Sequence, residues 1–184
     1  MDLQHVNIKI FVEGELTVDL DDVIKVFHEL ISQQALPGVL LDVGDYRHVP
    51  AGPSVLMVGH EADYCLDNGG HRYGLLYRRK APLAGSNEDR LRQAFDAAFH
   101  LCQLLESKFP TLKFSRREFQ IIINDRGLAP NTPETLEAAK PAIESFLNGI
   151  FDNTQVSLEP DTDPRRRFAV AVKSATDFAL PAAS

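Results

Sequence analysis

The chain has 184 residues, of which 44% are hydrophobic and 24% charged. This composition is typical of a folded domain and argues against a disordered, collagen-like or coiled-coil protein. The formal net charge of −7 repels polyanions at long range, so nonspecific binding to DNA or RNA is disfavoured. No apolar run approaches the roughly 18 residues of a membrane helix, and the N-terminus lacks a signal-peptide pattern, so a cytoplasmic protein without membrane contact is expected.

The charge is unevenly distributed along the chain. Residues 1–70 carry 3 basic and 12 acidic side chains, whereas residues 71–184 carry 16 basic and 14 acidic ones. Short basic clusters occur at 78–80, 116–117 and 165–167, and folding could bring them together into a basic face. The alternative interpretation is that these clusters are solvated strand ends.

Apolar periodicity predicts the elements of the first half. Residues 6–12 alternate as a half-buried strand does, and Asp19 precedes a helical apolar stripe that ends near Gln34. Segments 39–43 and 54–59 are apolar enough for interior strands. A further strand with alternating Tyr73, Leu75 and Tyr77 follows the Asn68-Gly69-Gly70 turn.

The second half is predicted in the same way. A helix over 87–108 carries an apolar stripe that includes Cys102, whose thiol is therefore expected in the core. A strand follows at 119–123, and Thr132-Pro133 is a typical helix start. Pro141 removes a backbone donor inside that helix, so a kink near Ala138 or a split into two helices is expected. Two last strands are predicted near 155–158 and 167–173.

A weak internal repeat suggests how these elements are arranged. Segment 8–14 aligns with 121–127 at an offset of 113, and 55–64 with 169–178 at an offset of 114. We therefore predict one α+β domain over 1–184, with a mixed, largely antiparallel sheet and helices mainly on one face. The preferred version is ferredoxin-like, with a possible duplicated βαββ unit. The repeat units would be 6–64 and 119–178, joined by strand 71–79 and helix 87–108.

The stretch 44–80 contains the candidate functional residues. Its segment 60–70 is predicted as a loop, in which Cys65 is expected to react faster than Cys102. The pairs His60-Glu61 and His71-Arg72 flank a glycine-rich turn. Antiparallel pairing of the flanking strands is expected to bring the two pairs together around a small polar or anionic ligand, with Tyr64 or Tyr73 as a wall. The candidate ligand-binding residues are His60, Glu61, Tyr64, His71 and Arg72.

The same residues permit other interpretations. A histidine beside a carboxylate can act as a general base or bind a divalent metal, yet no spacing here matches a known metal motif, so no metal site is assigned. In the nonfunctional interpretation this is a polar turn in which Asp63 and Asp67 hydrogen-bond loop amides while the histidines face water. No phosphate-binding loop or nucleophile motif occurs, so the catalytic residues and the cofactor stay unassigned.

Two blocks carry a resemblance to known proteins: LLDVGDYRHVPAGPSVLMVGHEADYCLDN and LLYRRKAPLAGSNEDRLRQA. Together they resemble an uncharacterised bacterial protein family without assigned activity. The resemblance covers most of the chain and implies no role for any residue.

Three functions are consistent with these patterns. The preferred one is a noncatalytic module that binds a small ligand or self-assembles, expected as a homo-oligomer. The alternative is an enzyme for a small, anionic molecule that uses a His/Glu acid-base or metal site in the 60–72 hairpin. A third, RNA binding on an open sheet face through Tyr73, Tyr77, Arg78 and Arg79, is disfavoured by the acidic pI of about 5.3.

Overall fold

The computed structural model describes residues 1–151 and 155–178, and it shows an α+β fold built on one eight-stranded antiparallel sheet. The strands are β1 (Val6–Val12), β2 (Leu40–Asp45), β3 (Pro53–Gly59), β4 (Ala62–Asp67), β5 (Gly74–Arg79), β6 (Phe114–Ile123), β7 (Val156–Pro160) and β8 (Ala169–Ser174). The helices are α1 (Leu20–Ser32), α2 (Asn87–Lys108) and α3 (Pro133–Ile150). The strand order is β2-β3-β4-β5-β1-β6-β8-β7.

The helices begin where the sequence predicts, because a capping side chain satisfies free amides at each start. Asp19 accepts a hydrogen bond from the Asp21 amide before α1, and Thr132 accepts one from Thr135 before α3. Ser86 and Asp89 form a reciprocal capping box at the start of α2. None of the helices within the described ranges has an apolar stretch long enough to cross a membrane.

The sheet has two different faces. Ile8 and Ile10 of β1 point toward the helices, and every buried apolar residue of the three helices belongs to the core on that side. A second, smaller cluster on the opposite face contains strand residues alone: Leu56, Cys65, Leu76, Ile122 and Ala169. The prediction of an α+β fold with helices mainly on one face is therefore confirmed. The sheet is not mixed as predicted, because every strand pair in the described chain is antiparallel.

Strand β4 was not predicted, because the sequence indicates a loop over 60–70. Two of its six residues are aspartates, which are rare inside strands. Both are buried but satisfied: Asp63 pairs with Lys80 at 2.6 Å, and Asp67 pairs with Lys9 at 2.6 Å. These ion pairs allow a polar segment to lie between β3 and β5.

The predicted split of the third helix is wrong. α3 runs without interruption from Pro133 to Ile150, with Pro141 inside it. Pro141 itself is exposed, whereas Ala139 and Ile143 on the opposite side are fully buried. Packing of this apolar side against the sheet offsets the loss of one backbone hydrogen bond.

The internal repeat receives mixed support from the topology. Ile8 and Ile121, which the repeat aligns, are direct partners across β1 and β6, as a local twofold axis between these strands requires. The second pair of aligned segments, in β3 and β8, does not follow this symmetry. β8 lies beside β6, whereas the corresponding neighbour of β1 is β5 and not β3. The two aligned strands thus occupy different places in the sheet.

Candidate functional site

The residues expected to form one site lie at two separate places. His60 and Glu61 form the turn between β3 and β4, and His71 and Arg72 lie between β4 and β5. The register pairs Ala62 with Arg79 and Asp67 with Gly74, so the two turns lie at opposite ends of β4. A six-residue strand spans about 20 Å. The predicted convergence is therefore wrong, because the unpredicted strand separates the two pairs.

Each of the charged residues in these turns has a local partner. Glu61 pairs with Arg79 at 3.1 Å. Arg72 donates two hydrogen bonds of 2.9 Å to Glu118 and lies 4.0 Å above the Phe11 ring. These contacts account for both residues as parts of the sheet surface.

Tyr64 belongs to the helix-side core. It is 2% exposed and packs edge-to-face against Tyr77, with the ring centroids 5.2 Å apart. Glu61 and Tyr64 line a cavity of about 70 Å³, which is small for an organic ligand. No group of three or more His, Cys, Asp or Glu side chains suited to a metal ion occurs in the described part of the chain.

A larger cleft lies on the sheet face opposite the helices, with a volume of about 670 Å³. Its floor consists of residues from β1, β4, β5, β6 and β8, and its rim comes from the loops at 51–53, 69–70 and 161–167. Side-chain alternation brings these residues together, because Lys9 of β1 is paired with both Leu76 of β5 and Gln120 of β6. Three neighbouring strands thus present their side chains to one cavity.

The cleft is basic although the protein is acidic. Six cationic side chains line it and only two carboxylates do. The cations are Lys9, Arg78, Arg126, Arg165, Arg166 and Arg167, and the carboxylates are Asp67 and Asp161. Folding therefore brings Arg78 together with residues 165–167, whereas residues 79–80 and the predicted third cluster, 116–117, do not line the cleft.

Half of these cations are neutralised by acidic neighbours. Lys9 is 3% exposed and donates hydrogen bonds to Asp67, at 2.6 Å, and to the carbonyl oxygen of Gly69, at 2.8 Å. Arg165 pairs with Asp163 at 2.9 Å, and Arg166 pairs with Asp161 at 3.3 Å. These interactions hold the rim loop and the floor in place.

The other three cations, Arg78, Arg126 and Arg167, have no carboxylate partner among residues 1–151 and 155–178. Arg167 donates a hydrogen bond to the amide oxygen of Asn124 at 3.1 Å. Burial lowers the pKa of Arg167, and the positive charge of Arg78 lowers it further, while Asp67 acts in the opposite direction. Two arginines are thus held close enough to repel each other, an arrangement that an anion between them would stabilise.

Sequence reasoning missed this cleft for a physical reason. Its residues come from positions as distant as 9 and 169, and only the order of the strands makes them neighbours. One signal was available in the sequence, the alternation of Asn7 and Lys9 with Ile8 and Ile10, but it was interpreted as a half-buried strand, whereas β1 is buried on both faces. Polar residues on a buried strand face indicate that this face contacts something other than a second apolar layer.

The chain was also compared with known proteins. No family model, no curated protein and no solved structure matches it. The resemblance to a bacterial family therefore stays a prediction, and the function has to be argued from the cleft itself.

Proposed function

We propose that the protein is a binding module whose basic cleft holds a small organic molecule with phosphate or carboxylate groups. The observation that carries this proposal is the set of three arginines, Arg78, Arg126 and Arg167, around one cavity without carboxylate partners in the described chain. Guanidinium groups bind phosphate and carboxylate through paired, charge-assisted hydrogen bonds.

The dimensions and lining of the cleft fit a metabolite. Its volume of about 670 Å³ lies within the range of about 300–1,000 Å³ that is usual for small-molecule sites. Apolar residues Cys65, Leu76 and Ile122 line it beside the arginines. A ligand with a charged end and a less polar body would match both parts.

The positions of the tyrosines favour a small anion over RNA. RNA recognition on a sheet requires exposed aromatic rings on which bases can stack. Tyr77 is 1% exposed and packs against Tyr64 on the helix side, and Tyr73 contacts the same core. The two tyrosines that suggested RNA binding are therefore not on the cleft face.

The enzymatic alternative depends on a site in the 60–72 hairpin. In it, His60 and Glu61 act as acid-base groups or metal ligands, and Arg72 or Arg78 holds the anion. Glu61 pairs with Arg79 at 3.1 Å, and the strand register places Arg72 at the other end of β4, so the geometry favours the binding module.

Isothermal titration calorimetry at low salt tests the proposal, with inorganic pyrophosphate and citrate as probes. We expect at least one probe to bind, and Arg78→Gln to weaken its affinity by about tenfold or more, because a hydrogen bond to a charged group is lost. The control is Arg117→Gln, which removes the same charge from an exposed arginine that pairs with Asp177. It should change the affinity by less than about twofold.

Two results would refute the proposal. One is the absence of binding by both probes. The other is an equal loss of affinity in Arg78→Gln and Arg117→Gln, which would indicate a general charge effect rather than a site.

Self-assembly is a second function that one observation favours. β2 is an edge strand, and Val39 and Leu41 at this edge are 63% and 59% exposed. Edge strands with exposed aliphatic side chains pair readily with other strands. We propose that a second copy of the chain contacts this edge.

A further inference from the structure

A buried amide beside the cleft has no hydrogen-bond partner. The side chain of Asn7 is 0% exposed, and neither its Nδ2 nor its Oδ1 atom has a partner in the described chain. Buried polar atoms in native proteins are nearly always hydrogen-bonded, because an unpaired one loses its interactions with water and gains nothing. The amide therefore requires an explanation that the fold alone does not supply.

The register of β1 places Asn7 on the cleft face. Its direct partners are Arg78 on β5 and Ile122 on β6, and side chains of directly opposed residues lie on the same side of a sheet. Both partners line the cleft. Asn7 thus lies between one of the uncompensated arginines and the apolar floor.

Resting on the proposed function, we infer that Asn7 recognises the uncharged part of the ligand. Its amide offers one acceptor and two donors, a set that matches a heterocyclic base edge, a carboxamide or a pair of hydroxyls. The ligand is then an organic phosphate or carboxylate whose charged group binds Arg78 and Arg167, and whose body lies on Ile122 and Leu76. An inorganic anion would fill the charged part of the site alone.

Movement of Arg78 would give the ligand access to the amide. Arg78 is half-buried, and its side chain makes no hydrogen bond or ion pair with the residues that the structure describes. Its long side chain can therefore turn toward an incoming anion at little cost. This step uncovers the neighbouring Asn7 at the moment when the charged group of the ligand is already bound.

A buried water molecule is the competing explanation for the amide. Such a water would satisfy both atoms without any ligand. In that case replacement of Asn7 would change stability and would affect all anions equally, which separates it from a recognition role.

The experiment compares inorganic phosphate, ribose 5-phosphate and AMP by calorimetry on the wild type and on Asn7→Leu. We expect the wild type to bind at least one organic phosphate about tenfold more tightly than inorganic phosphate. Asn7→Leu should abolish this preference while its affinity for inorganic phosphate stays within about twofold. The matched control, Gln33→Leu, removes an exposed amide at the end of α1 and should keep the preference.

The outcomes separate this inference from the proposed function. If the wild type binds none of these three probes but binds pyrophosphate or citrate, only the role of Asn7 is refuted, whereas binding of none of the five compounds refutes the proposed function as well. If it binds inorganic phosphate as tightly as both organic phosphates, or if Asn7→Leu weakens all probes equally, only the role of Asn7 is refuted. If Asn7→Leu does not fold, the affinities of Asn7→Ser for the same probes are measured and the same criteria apply.

Discussion

Cys65 and Cys102 lie on opposite faces of the sheet, and both side chains are fully buried. The sequence correctly predicts a core position for Cys102, but it places Cys65 in a loop and makes it the more reactive thiol. The predicted loop is wrong, because Cys65 lies in the interior of β4, whereas the order of reactivity of the two thiols is untested. Burial raises the pKa of both thiols, which leaves little reactive thiolate near neutral pH.

We therefore expect neither cysteine to react rapidly with a thiol reagent in the native protein. Both should react at the rate of a free thiol in urea, where the burial is removed. The measurement is reagent absorbance against time, followed by mass spectrometry to locate the label. Rapid native labelling of Cys65 would contradict its position under the cleft.

The ion pair between Arg72 and Glu118 provides a prediction about pH. Hydrogen bonds from Arg72 hold the pKa of Glu118 below its usual value, while burial acts in the opposite direction. A folded-state pKa that is lower than the unfolded one adds stability above the unfolded pKa, and this stability is lost as the pH falls through the folded pKa.

Arg72→Gln should therefore lower the free energy of unfolding at pH 7 by about 1 kcal/mol or less, because Arg72 is largely exposed. At a pH below the folded pKa of Glu118 the variant and the wild type should differ less. Urea denaturation at both pH values measures this, and an effect that grows toward acid pH would contradict the assignment.

At the scale of elements, local signals were sufficient for the helix starts and for seven of the eight strands in the described chain, but they missed β4. The caps Asp19 and Thr132 mark the starts of α1 and α3, and the apolar stripe marks the start of α2, which the structure caps with Ser86. β4 was missed because its aspartates resemble turn residues until Lys9 and Lys80, distant in sequence, neutralise them. The same omission made the 60–72 hairpin look like a single site.

Pro141 tests whether the packing of α3 compensates for a proline inside the helix. Pro141→Ala restores an amide that can bond to the carbonyl oxygen of Glu137, and the site is exposed, so no packing is disturbed. We expect the free energy of unfolding to rise by about 1–2 kcal/mol. This is less than the helix-propensity difference of about 3 kcal/mol between Pro and Ala, because the unfolded chain also regains freedom and is thereby stabilised. Lys140→Ala, the exposed neighbour, should change it by less than about 0.5 kcal/mol. A destabilised Pro141→Ala variant would contradict this account.

The exposed edge at β2 provides the test of self-assembly. Leu41→Lys places a charge on the edge strand, which disfavours pairing with another strand. We expect light scattering to show a smaller particle for this variant than for the wild type, with unchanged circular dichroism. A wild type that is already monomeric at high concentration would rule out the proposed contact.

At the scale of the whole molecule, the net charge is negative whereas the cleft is basic. The net charge of −7 repels polyanions at long range, while the cleft concentrates the arginines that we propose bind a small anion. The sequence gives the net charge directly. It does not give the cleft, because Arg78, Arg126 and Arg167 become neighbours only through the pairing of β5, β1, β6 and β8.

The central claim is that an anion binds on the face of the sheet without helices, and nuclear magnetic resonance tests its location directly. The ¹⁵N-labelled protein is titrated with inorganic pyrophosphate, and each backbone amide reports changes nearby. The account predicts that the amides of Lys9, Gly70, Arg78, Ile122 and Arg167 shift together and saturate with one dissociation constant. Shifts confined to the surroundings of the small cavity beside Glu61 and Tyr64, or no shifts at all, would contradict it.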